Sequence, residues 1–140
     1  MPHRFHGERT LMRIFIGESD RCASEPHKGL ALHEALLRVF RERGFAGVTV
    51  LRGSKGFGAS ARVHTADLLR LSTDLPVVVE AVETEERIQE ILPDLDRMID
   101  GGLITLEKVR VILYRPHDSH AGERWEHRIE GLAADPDETA

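Results

Sequence analysis

PVVVEAVETEERIQEILPDLDRMIDGGLITLEKVRVIL, residues 76–113, decides the fold. Its valine-rich start, residues 76–82, suits a strand buried on both faces or at a subunit contact, because β-branched side chains pack well on a pleated surface. Thr84 then offers a hydroxyl to cap a helix. Glu85 and Glu86 complement the positive end of its dipole, and Ile88, Ile91, Leu92, Leu95, Met98 and Ile99 form one apolar stripe. Pro93 lacks an amide hydrogen and crowds the preceding turn, which predicts a kink or two helical pieces, the second ending at Gly101 and Gly102. The next strand changes parity. Ile104 and Leu106 share one face while Val109, Val111 and Leu113 share the other, so a bulge or break is expected near Glu107 or Lys108.

The same strand–helix–strand order precedes this stretch. LMRIFI, residues 11–16, places Met12, Ile14 and Ile16 on one face of a strand. From Leu30, the spacing of Leu32, Ala35, Leu36, Val39 and Phe40 predicts a helix, with Arg41 and Arg43 in its last turn and Gly44 as its left-handed cap. GVTVL, residues 47–51, is the second strand. The whole order is that of an α+β, ferredoxin-like βαββαβ domain: a four-stranded antiparallel sheet with two helices on one face. Two helices cannot cover both sides of such a sheet, so copies of the chain are expected to bury their open faces against each other in a ring.

A chain of 140 residues with 41% apolar and 31% charged residues suits one soluble domain. The expected organisation is a flexible N-terminus over 1–10, the domain over 11–114, and a polar tail over 115–140 with one short helix around Trp125. No apolar run reaches bilayer length and the N-terminus has no signal-peptide core, so direct membrane insertion is not expected and a cytoplasmic location is. The lone Cys22 has no disulfide partner and no paired histidine, and is given no role.

Charge is unevenly distributed. The net −5 of the whole is concentrated in residues 80–100, with eight acids against two arginines, and in the tail. Residues 52–70 run the other way, with Arg52, Lys55, Arg62 and Arg70 against Asp67. About two dozen residues separate Leu51 from Pro76, more than an idle connection needs. Gly53, Gly56 and Gly58 let backbone amides approach an anion closely, and the nearby cations add charge, although no Walker A spacing is present.

Three quoted segments carry a family resemblance: LMRIFIGESDR, VLRGSKGFGASARVHTADLLRLSTDLPVVVEAV and ETEERIQEILPDLDRMIDGGLITLEKVRVI. Over residues 10–114 the chain closely resembles the PII-like family known as domain of unknown function 190. More distantly it resembles true PII signalling proteins, whose regulatory loop has Gly-Phe-Gly followed by His-Thr. The resemblance implies a homotrimer with nucleotide pockets between subunits and a long loop that reports ligand state to a transporter or enzyme partner. It maps Gly56, Phe57 and Gly58 onto the nucleotide-bordering motif and His64 and Thr65 onto the His-Thr. Ser60 stands where true PII proteins have a metal- and 2-oxoglutarate-holding glutamine, Leu69 is near their modifiable tyrosine, and DGGLITLEK is a reduced phosphate loop. Neither 2-oxoglutarate sensing nor tyrosine modification is therefore expected.

Other chemistry finds less support. His3 and His6, and His117 and His120, sit in the termini, while the core offers only His33 and His64 and no partnering cysteines, short of a zinc set. Ser54, Ser60 and Thr65 stand among glycines without a recognisable base. The acids of 80–100 fit the solvated face of a helix, and a small basic patch with only Phe57 to stack does not favour nucleic acid. The expected function is non-enzymatic signalling, with an adenine nucleotide as ligand at Arg52, Gly53, Lys55, Gly56, Phe57, Gly58, Arg62, His64 and Thr65. The alternative is a CutA-like metal-responsive trimer.

Overall fold

The computed structural model describes residues 7–58 and 74–115. Six elements follow in the expected order: β1 (Gly7–Gly17), α1 (Leu32–Glu42), β2 (Val48–Arg52), β3 (Pro76–Glu83), α2 (Glu85–Met98) and β4 (Leu103–Val111). The strands form one antiparallel sheet in the order β2-β3-β1-β4, the ferredoxin-like arrangement. Trp125 and the rest of the tail beyond Arg115 lie outside the described residues.

Alternation along the strands decides what each face does. Ile14 lies opposite Val79 on one side and Ile104 on the other, so residues of that parity share a face. Met12, Ile14, Ile16, Val77, Val79 and Ala81 are buried there against Leu32, Ala35, Leu36 and Phe40 of α1 and Ile88, Ile91, Leu95 and Met98 of α2. Both helices therefore pack on one side of the sheet, and the core is a single cluster.

The ends of α1 and α2 follow from local sequence. Gly44 takes the left-handed conformation at φ 71°. Its amide donates to the Arg41 carbonyl at 2.9 Å and that of Phe45 to Phe40 at 2.9 Å, the two bonds of a Schellman motif. The accompanying apolar contact is also present, with the Phe40 and Phe45 rings 4.8 Å apart. At the start of α2, the Thr84 hydroxyl accepts from the Arg87 amide at 3.3 Å.

Three local expectations change. Of the kink or split expected at Pro93, the split does not occur: helix α2 runs through Pro93, which lies on the exposed side with Gln89, whose carbonyl loses its amide partner where water can replace it. Strand β1 begins at Gly7 rather than Leu11, since Gly7–Thr10 pair with Val111–Lys108 of β4. The β1–β4 register is unbroken from Gly7↔Val111 to Phe15↔Leu103, so no bulge occurs. The parity change has another cause: Ile104 and Leu106 share the helix side with Ile14 and Met12, whereas Val109 and Val111 join an apolar face that the helices leave uncovered.

Thr10 is buried and its hydroxyl donates to Glu85, which also accepts from Gln89 at 3.0 Å. The Thr10 bond first, then Gln89 and the charge of Lys108, hold the Glu85 carboxyl below its ordinary 4.5. A carboxylate held low adds stability above its unfolded-state pKa and loses it as the pH falls through the folded-state value. The thermal-midpoint gap between wild type and Thr10→Val should thus be widest near neutral pH and narrow below about 4.5. Melting curves across that range check this; a gap independent of pH would refute it.

Candidate ligand-binding loop and open sheet face

The long loop leaves β2 at Arg52 and returns to β3 at Pro76, two positions that the sheet brings side by side through the Arg52↔Val77 pair. The Gly53 amide donates to the Pro76 carbonyl at 2.7 Å. A Cβ on Gly53 would stand 2.7 Å from Pro76 Cγ, and one on Gly56 would stand 3.0 Å from it. These two glycines are needed because the loop's first turn passes over a proline ring. Gly58 has open space around it. Lys55, Gly56, Phe57 and Gly58 are all exposed, Phe57 to 79%. Arg62, His64 and Thr65, like Ser60 and Leu69, lie outside the described residues.

A turn missed from sequence, Gly17–Asp20, grips both ends of this loop. Arg52 pairs with the Glu18 carboxylate at the outgoing end. At the returning end, the Glu18 amide donates to the Leu75 carbonyl at 2.9 Å and the Ser19 amide to Asp74 Oδ1 at 3.0 Å. Asp20 closes the turn by accepting from the Gly17 amide at 2.8 Å. The loop base is thus less basic than its own sequence suggests, because Glu18, Asp20 and Asp74 gather behind Arg52.

The uncovered sheet face is the second feature. Register places Leu11, Phe15, Leu51, Val78, Val82, Val109 and Val111 on the side opposite the helices. Arg13 lies among them and bridges Glu80 at 2.9 Å and Glu107 at 2.9 Å. Those two acids raise the arginine's pKa, so it stays charged. The acids of residues 80–100 are accordingly not all on a helix surface: Glu80 is on the open sheet face, and Glu83 is 2% exposed at the end of β3.

A depression of about 280 Å³ bordered by Glu42, Arg43, Phe45, Arg87, Glu90 and Ile91 contains none of the expected site residues. Its guanidinium groups are engaged, Arg87 with Glu83 and the Arg43 carbonyl and Arg43 with Asp94. Among the described residues, no group of three or more His, Cys, Asp or Glu could hold a metal ion, and no helix is long and apolar enough to cross a membrane. His33 sits 3.8 Å from Glu34 on α1.

The DUF190 family model, described as an uncharacterized ACR, matches residues 9–111. The chain belongs to that family. A UPF0166 protein of Aquifex aeolicus is 37% identical over 105 residues, covering 75% of this chain and 94% of the relative. Another, from Methanocaldococcus jannaschii, is 31% identical and covers 72% and 89%. Among solved structures, a Thermus thermophilus protein described as PII-like signaling superimposes with a TM-score of 0.51 at 19% identity, covering 76% of this chain and 92% of its own. CPII of Thiomonas intermedia, a nitrogen regulatory PII-like protein bound to ADP, AMP and bicarbonate, gives 0.52 at 15% identity, with 78% and 92% covered. At such identities the likeness establishes the PII-like fold of this DUF190 protein.

Proposed function

We propose that this DUF190 protein is a non-enzymatic, cytoplasmic PII-like regulator. It forms a homotrimer through its open sheet face, takes an adenine nucleotide where the loop base meets the neighbouring subunit, and presents the loop to a partner such as a transporter or enzyme. One observation carries the reading. The apolar face adjoins the loop base, since Leu51 and Val78 precede and follow the Arg52–Val77 pair, so a copy seated on the face comes close to the strand ends where the loop leaves and returns, with Arg52 on the other side of that edge beside Val77. The adenine nucleotides bound to CPII supply the ligand class.

Calorimetry with ATP, ADP, AMP and cyclic AMP tests it. At least one nucleotide should bind the wild type, and Gly53→Val should weaken binding tenfold or more, because a side chain there drives the loop base off Pro76. No heat from any of the four would remove the nucleotide claim. The CutA-like reading makes the opposite forecast: copper or zinc binding that survives removal of both histidine-bearing ends.

A further inference from the structure

The Arg52–Glu18 pair has unequal partners. Arg52 is 63% exposed and able to meet a ligand, while Glu18 is 26% exposed and fixed through its own amide to Leu75. Asp20 and Asp74 accept the Gly17 and Ser19 amides, so the carboxylate that remains for Arg52 is Glu18. We infer that Glu18 is an intramolecular competitor: it occupies the guanidinium of Arg52 as a tethered anion, and a phosphate-bearing ligand must displace it to bind. The inference rests on the anion-binding reading of the loop base and adds to it a residue that sets affinity.

Coulomb repulsion makes the exchange mutually exclusive. A phosphate and a carboxylate on the same face of one guanidinium stand within a few ångströms of each other, where like charges disfavour co-occupancy. The displaced acid also has a route to the loop. Its amide bonds the last residue before β3, so moving Glu18 off Arg52 loosens the Leu75 end while the Gly53–Pro76 bond holds the other. Binding at the outgoing end is then felt at the returning end. The competitor is weak by design of its exposure, since a solvent-facing ion pair shifts an equilibrium only a few-fold.

Glu18→Gln keeps the side chain's size and removes its charge. Titrations of ADP and of pyrophosphate separate recognition of the phosphates from recognition of the nucleoside. Glu18→Gln should bind both about two- to fivefold more tightly than the wild type. In an Arg52→Ala background the same change should have no effect, because there is no longer a cation to contest. Hydrogen exchange of the Glu18 amide should accelerate in the wild type when ADP is added and be fast in ligand-free Glu18→Gln. Wild-type binding that Glu18→Gln leaves unchanged or weakens would overturn the competition and spare the nucleotide reading. Gains that persist without Arg52 would also overturn it. Silence of both proteins to both ligands would overturn the two together.

Discussion

Val78→Asp is expected to leave the chain folded and take the proposed homotrimer apart. Val78 is central on the open face, paired with Phe15 of β1 on one side and Leu51 of β2 on the other. In a lone chain a carboxylate there points into water, at the modest cost of a poor strand former, about 1 kcal/mol or less. In an assembly built on that face it would be buried in each subunit without a cation, since Arg13 already holds Glu80 and Glu107. Several kcal/mol per subunit follow from an unpaired buried charge, enough to weaken association at least a hundredfold. Sedimentation should show monomers at concentrations where the wild type is assembled, and the thermal midpoint should no longer depend on concentration. A mutant that sediments with the wild type would mean this face is not the contact.

The same residues show how much was legible. Met12, Ile14 and Ile16 announce the core face because alternation is a local property, and Gly44 announces its cap because a left-handed residue after a helix is met most cheaply by glycine. The split βαβ order followed from such signals. Tertiary pairing is another matter. Glu18 and Arg52 are 34 residues apart, so the loop's cations could be counted while their neutralising acid could not be assigned. Similarly, β4 looked irregular because its apolar residues change parity; a sequence rule assumes that one face is wet, and here the second face is apolar too. The glycine spacing points to close approach of backbone at Gly53 and Gly56, and the structure adds Pro76 as the group against which they pack.

Glu83 is one of eight acids in residues 80–100, and its replacement should have the largest effect on stability of any of them. Its carboxylate is buried, accepts the Thr84 amide at 3.2 Å, and lies 3.1 Å from Arg87 Nε. Arg9 also feels this charge: burial lowers that guanidinium's pKa and the Glu83 charge partly restores it. Arg87 in turn stands 5.5 Å over the Phe45 ring and donates to the Arg43 carbonyl, so one acid ties the end of β3 to the cap of α1 through the first turn of α2. Substituting leucine leaves the Arg87 guanidinium without the carboxylate that it faces at 3.1 Å, at a position where the replaced side chain is closed to water. Breaking a buried pair from one side costs about 3–5 kcal/mol, far above the 0–1 kcal/mol typical of an exposed charge. Glu83→Leu should therefore lower the urea midpoint strongly, Glu83→Gln by less because its amide oxygen still accepts a hydrogen bond, and Glu86→Leu, on the exposed side of the same turn, by little. Equal losses for Glu83→Leu and Glu86→Leu would show that the buried carboxylate contributes no more than a solvated one. A loss confined to Glu83→Leu and partly recovered in Glu83→Gln would identify charge neutralisation, with hydrogen bonding second, as what fastens the helix layer to this end of the sheet.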